Sequence, residues 1–149
     1  MAGKTSEGVG FSEEEKKAMK QRAEELRTTK GLKGAAKLAK ELEACADAIE
    51  ALDGIDGEVA RSVHRIVSDE APHLNPKTFY GFPAYAADGK VVIFVQPKSK
   101  FDTRYPTVNF DETATLDDGD MWATSFAVVA VTDAVKKRIR DLVRKAVGA

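Results

Sequence analysis

Phe79-Tyr80-Gly81-Phe82-Pro83-Ala84-Tyr85-Ala86-Ala87-Asp88-Gly89-Lys90-Val91-Val92-Ile93-Phe94-Val95-Gln96 is the stretch that decides the fold. Aromatic and β-branched residues crowd both sides of Asp88-Gly89. Those types suit a pleated, half-buried surface. Asp-Gly is the dipeptide a two-residue type I′ turn prefers, because both central residues need positive φ. The stretch reads as a β-hairpin with strands over Phe79–Tyr85 and Lys90–Gln96.

Toward the C-terminus, Arg104–Phe110 reads as a third strand. Pro106 lacks an amide donor, so this strand lies at an edge or begins late. Met121–Val131 reads as the fourth strand and the longest. Thr132 and Asp133 then cap a final helix to Val147, with Val135, Ile139, Leu142 and Ala146 as its inner stripe. Toward the N-terminus, Val59, Val63, Ile66 and Val67 form the inner face of a helix that stops before Pro72. Asp53-Gly54 and Asp56-Gly57 separate it from a helix ending near Leu52. There Leu38, Leu42, Cys45, Ile49 and Leu52 recur at helical spacing and predict a buried seam. Before Gly31 and Gly34, Ser12 and Glu15 form a capping box for a first helix running to about Arg27. Its stripe of Met19, Ala23 and Leu26 is thin, which places it at the periphery. Residues 1–10 are small, polar and glycine-rich, and read as a loose tail. The order is three helices, four strands, one helix. Short connections between strands imply an antiparallel sheet. The fold class is α+β: an antiparallel sheet of about four strands (hairpin 79–96, then 104–110 and 121–131) backed by helices.

The totals fit that picture. The chain has 149 residues, 43% hydrophobic and 32% charged, with a formal net charge of −1. One domain over residues 11–149 can bury a core without disulfide or metal. A net charge near zero gives no global steering toward nucleic acid or anionic membrane. Cys45 is the one cysteine, so no intramolecular disulfide forms. Met1–Gly10 lacks the apolar stretch of a signal peptide, and no run approaches a membrane span. Val91–Val95 and Phe126–Val131 are the longest apolar runs and suit buried strands. These features give a cytoplasmic reading.

Phe79-Tyr80-Gly81-Phe82-Pro83-Ala84-Tyr85 resembles the Tyr-Gly-Met/Phe-Pro-Ala-Phe/Tyr signature of the YdhG-like family, a domain of unknown function. Gly89-Lys90-Val91-Val92, Arg104-Tyr105-Pro106-Thr107 and Leu116-Asp117-Asp118-Gly119-Asp120-Met121-Trp122 support the resemblance. So does the opening Phe11-Ser12-Glu13-Glu14-Glu15 with Met19-Lys20-Gln21-Arg22-Ala23. It covers residues 55–147, with 11–53 as a helical extension. The resemblance implies a helix-backed antiparallel sheet. Some members are described as frataxin-like intracellular iron chaperones, so it also implies weak iron binding, with iron or an iron-accepting protein as partner. It supplies no ligand motif to carry over.

Five constellations carry candidate chemistry. Asp111, Glu112, Asp117, Asp118 and Asp120 fall in ten residues without Lys or Arg. Carboxylates ~6 Å apart in water repel by about 0.7 kcal/mol per pair, and a hard cation relieves that repulsion. These five are the candidate iron ligands; the bland reading is a solvated loop. Nine Lys or Arg lie between Lys16 and Lys40. With Lys136, Lys137, Arg138, Arg140, Arg144 and Lys145 they offer a phosphate-binding face, if the two helices share it. Neither stretch interleaves aromatics for base stacking, so solvated faces are the simpler reading and nucleic acid is not the expected partner. Tyr80, Phe82, Arg104, Tyr105 and Trp122 are candidates for a small-molecule pocket, against ordinary sheet cover. His64 and His73, near Asp69 and Glu70, lack i, i+4 spacing for a metal and read as helix-edge residues. Cys45, in an apolar seam, reads as a small hydrophobe rather than a nucleophile. No catalytic motif emerges. The leading expectation is a non-catalytic protein, monomer or homodimer, that binds iron weakly. The alternatives are a ligand-binding module with an aromatic pocket, and a nucleic-acid or protein-interaction module through residues 16–40.

Overall fold

The structure, a computed structural model, describes residues 12–29 and 34–148. The N-terminal tail expected at 1–10 lies outside them. In chain order the elements are α1 (Glu13–Thr29), α2 (Gly34–Glu50), α3 (Gly54–Glu70), β1 (Asn75–Phe79), β2 (Phe82–Ala87), β3 (Lys90–Gln96), α4 (Lys98–Phe101), β4 (Thr107–Phe110), β5 (Ser125–Ala127) and α5 (Asp133–Ala146). The chain is an α+β protein. Its five strands form one antiparallel meander in the order β1-β2-β3-β4-β5.

The sheet has five strands where about four were expected, and the extra one comes from the opening phrase. Phe79–Tyr85 is not one strand. Tyr80 (φ 53°) and Gly81 (φ 82°) form a turn, and Phe79 pairs with Phe82 across it. Two successive positive φ values are the signature of a type I′ hairpin. Tyrosine stands where Asn, Asp or Gly is usual, which is why the phrase reads as continuous strand. The Asp88-Gly89 turn forms as expected, with φ of 51° and 80°. β4 starts after Pro106, as its missing donor requires, and lies inside the sheet between β3 and β5. Met121–Val131, expected as the longest strand, keeps three strand residues and is the shortest. Its apolar run does not face a core throughout: Val129 is 77% exposed.

Residues paired across antiparallel strands share a face. One face carries the rows Tyr85–Ile93–Phe110 and Val95–Val108–Phe126. It packs into a core with Cys45 and Ile49 of α2, Val59, Val63, Ile66 and Val67 of α3, and Ile139, Val143 and Ala146 of α5. The expected face of α3 is therefore correct. On α5, Val135 and Leu142 are partly buried, and wholly buried Val143 joins the stripe. The opposite face is divided. At β1–β3 it is aromatic, with Phe79, Phe82 and Phe94. At β4–β5 it is polar: Asn109 Nδ2 donates to Thr107 Oγ1 (2.9 Å), and Ser125 Oγ donates to Asn109 Oδ1 (2.7 Å).

Two helix stripes differ from expectation, α2 because a polar residue takes a buried place and α1 because polar contacts dock it. On α2, Leu38 and Leu42 are 43% and 47% exposed, while Glu41, Cys45 and Ile49 turn inward. These three stack at i, i+4. Glu41 is tolerated because Lys77 Nζ reaches its Oε2 at 3.3 Å. On α1, Met19, Ala23 and Leu26 are exposed and Ala18 is buried. The capping box forms as read: Ser12 N donates to Glu15 Oε1 (2.9 Å) and Glu15 N to Ser12 Oγ (3.1 Å). The helix is held by polar contacts. Gly81 N donates to Glu25 Oε2 (2.7 Å), Lys100 Nζ donates to Gln21 Oε1, and the Arg22 guanidinium sits 5.3 Å from the Phe79 ring centre.

Gly81 and Gly89 test this arrangement as a pair. Both have positive φ, but a Cβ on Gly89 meets nothing, whereas one on Gly81 meets Gln21 and Lys100. We predict that Gly89→Ala costs about 1 kcal/mol of backbone strain. Gly81→Ala should cost about 2 kcal/mol, because it also parts the Gln21–Lys100 contact. Urea unfolding of both variants measures the difference. Equal losses would show that α1 is not pinned at this turn.

Candidate functional site

Among the described residues, the aromatic end of the outer sheet face is not fully covered. Phe79 meets Tyr80 edge-on (centroids 4.6 Å) and Phe94 at 5.5 Å; Phe82 stacks over Phe94 at 6.3 Å and meets Phe101 edge-on at 5.6 Å. These rings border an open cleft of about 610 Å³. Ala18 and Met19 of α1 form the opposing wall, with Ser12 and Glu15 at its end and the Gln96 amide at the sheet end. Each wall has a local cause. β1 and β2 alternate, and the tight Tyr80-Gly81 turn places Phe79 and Phe82 side by side. Pro97 ends β3 and starts α4, which brings Phe101 back over the rings. α4 is fixed from below by Asp56, 3% exposed on α3, whose carboxylate accepts from Lys98 N (2.8 Å) and Ser99 N (3.2 Å). The polar contacts of Glu25, Gln21 and Arg22 hold α1 alongside.

Of the five residues expected to form a ligand pocket, Tyr80 and Phe82 line this cleft. Arg104, Tyr105 and Trp122 are not among its lining residues. Arg104 instead stacks its guanidinium 5.3 Å over the Tyr105 ring, and Trp122, 39% exposed, lies on the segment before β5. They separate because the turn at Tyr80-Gly81 and the segments around 104 and 122 belong to different parts of the meander. Phe94 and Phe101 were visible as aromatics. Ala18 and Met19 carried no signal, because polar contacts dock their helix.

The acidic loop does not converge. Asp111, Glu112, Asp117, Asp118 and Asp120 are all exposed. Among the described residues, no three His, Cys, Asp or Glu side chains gather closely enough to hold a metal ion. The two basic stretches are separated and partly spent. Lys16, Arg22 and Lys40 pair with Glu13, Glu25 and Glu43 within their helices. On α5, Lys137 pairs with Asp141, and Arg140 and Arg144 both grip Glu70 of α3. Hydrogen bonds from Arg144 and Arg140 hold the Glu70 carboxyl below its usual range. Arg138 lies over the Phe126 ring, 5.6 Å from its centre.

One buried polar chain has no precedent in the sequence pattern. The Tyr85 hydroxyl, wholly buried, lies 2.9 Å from His64 Nδ1, and the Cys45 thiol is beside it. Burial pushes Cys45 up to about 11, so at neutral pH it is an inert thiol, as its seam position suggested. Burial raises Tyr85 as well and lowers half-buried His64. His73 is exposed.

Among the described residues, no helix is long and apolar enough to cross a membrane. Compared with protein-family models, curated proteins and solved structures, the chain matches none of the three.

His64 gives a signed pH expectation. Its folded pKa lies below the unfolded value of about 6.5, so the unfolded chain binds the proton more readily. Its contribution to stability is complete above that value and is lost as pH falls toward the folded pKa. The wild type should exceed a His64→Phe variant by about 1 kcal/mol at pH 7.5, through the Tyr85 hydrogen bond. That gap should shrink as pH drops below about 6.5. Denaturant midpoints at several pH values measure it, and a constant gap would contradict the assignment.

Proposed function

We propose that the chain is a non-catalytic ligand-binding module whose site is the aromatic cleft between α1 and the outer face of β1–β3. The single observation that carries the reading is the hollow of about 610 Å³ with Phe79, Tyr80, Phe82, Phe94 and Phe101 around it. That volume falls within the range of small-molecule sites, roughly 300–1,000 Å³, and such sites are mostly apolar with a few placed polar groups. Here the polar groups are Gln96, the Tyr80 hydroxyl and Glu15. Glu15 is engaged in capping its own helix, so the cleft supplies shape and apolar surface rather than proton transfer. The fitting ligand has a flat apolar body and one hydrogen-bonding group toward Gln96.

The phrase Phe79–Tyr85, on which the YdhG-like resemblance rests, builds one wall of the cleft. In this reading its aromatic residues are there to form a binding surface. Iron handling through Asp111, Glu112, Asp117, Asp118 and Asp120 rests on that resemblance alone and draws no support from the geometry.

A thermal-shift screen of a metabolite library should return a ligand that raises the Tm of the wild type. Phe94→Ala should weaken that ligand at least tenfold, consistent with loss of about 1.4 kcal/mol or more of ring contact. Met19→Trp, at an exposed position on the cleft wall, should block binding while leaving the fold intact. Trp122→Ala should bind as the wild type does. A library without a hit, or a hit indifferent to both cleft variants, would end this reading.

A further inference from the structure

We propose that the outer surface of α3 carries a second site, for a phosphate-like dianion, formed by Arg61, His64 and Arg65. Residues 61, 64, 65 and 68 lie at i, i+3, i+4 and i+7, on one face of the helix. They line an open hollow of about 530 Å³ whose apolar wall is Ile49 of α2.

The charges there are unspent. Arg61 and Arg65 make no hydrogen bond or ion pair among the described residues, in contrast with Arg140 and Arg144, which share Glu70. Asp69 also lines the hollow, and its carboxylate lies 3.8 Å from Arg140. Two like charges at i, i+4 repel by a few tenths of a kcal/mol, and an anion between them relieves that. Guanidinium forks match phosphate oxygens two at a time, so phosphate is the class they suit best.

The imidazole adds a fixed donor. Tyr85 stays protonated, because burial raises its pKa, and its hydroxyl lies 2.9 Å from His64 Nδ1. A ring nitrogen is a better acceptor than a thiol, so the hydroxyl proton goes to Nδ1. Neutral His64 then carries its own proton on Nε2, which has no partner among the described residues. A wholly buried side chain thus sets the tautomer of a residue that lines the hollow. Ser68 is not needed as a ligand, since its hydroxyl donates to His64 O (2.8 Å).

The test titrates isotope-labelled full chain with inorganic phosphate at constant ionic strength, balanced with chloride, and follows the imidazole and guanidinium nitrogens by NMR. Saturable shifts are expected at His64 Nε2, Arg61 and Arg65, with His73 still. An Arg61→Gln/Arg65→Gln variant should bind at least tenfold more weakly, while Lys136→Gln/Lys137→Gln, with the same charge change elsewhere, should bind as the wild type does. Phosphatidate vesicles form a second arm. Cosedimentation lost in the arginine variant assigns the phosphate to a lipid headgroup, and its absence alongside saturable phosphate binding assigns a soluble ligand. Unsaturable shifts, equal shifts at His64 and His73, or an arginine variant that titrates like the wild type would overturn the site.

Discussion

Tyr85 is wholly buried and carries a hydroxyl that needs partners. Leaving that group unpaired in a core costs a few kcal/mol. Its hydrogen-bond partner is His64 on α3, and the thiol of Cys45 on α2 lies beside it. Both helices must therefore lie on the same face of the sheet, over β2. The apolar rows Tyr85–Ile93–Phe110 and Val95–Val108–Phe126 supply the bulk of the burial, but they are nondirectional. The hydroxyl fixes where the two helices sit on them. Asp56 under α4 and Glu41 against Lys77 are further buried polar groups satisfied from another element. Among the described residues, no buried side-chain nitrogen or oxygen lacks a partner.

Among the described residues, this arrangement leaves the other sheet face with little helical cover. Its polar half, around Thr107, Asn109 and Ser125, satisfies itself and faces water. Its aromatic half needs cover that α2, α3 and α5 cannot give, because they are committed to the core. α1 and α4 supply part of it, held by Glu25, Gln21, Arg22 and Asp56. Cover made from polar pins rather than interdigitated apolar side chains leaves space beneath it, and that space is the cleft. The outer surface of α3 is the complementary case: its inner side is saturated by the core, and its outer side keeps two arginines unpaired among the described residues.

The legible parts of the fold were those with a short-range physical signal. Asp88-Gly89 marks its turn by φ preference, β3 follows from an unbroken run of β-branched and aromatic residues, and α3 follows from strict helical spacing. β1 was hidden because Asn75-Pro76-Lys77-Thr78 lacks strand composition, and because Tyr80 disguises a turn. Met121–Val131 misled because an apolar run does not show whether a core faces it. The α2 seam misled because periodicity cannot anticipate a buried glutamate paired to a lysine on β1. The site divides the same way. Tyr80 and Phe82 were readable from the aromatic phrase. Their grouping with Arg104, Tyr105 and Trp122 was not readable, and neither was the part of Met19. The Tyr85–His64 contact joins residues 21 apart in two different elements, beyond the reach of any local pattern.

The most direct measurement of the central claim is the tautomeric state of His64 together with the exchange rate of the Tyr85 hydroxyl proton, both read by NMR in the free protein. The account predicts a neutral imidazole protonated on Nε2, Nδ1 acting as acceptor, and a slowly exchanging tyrosine hydroxyl coupled to it. An imidazole protonated on Nδ1, with a hydroxyl that exchanges as fast as that of an exposed tyrosine, would contradict it.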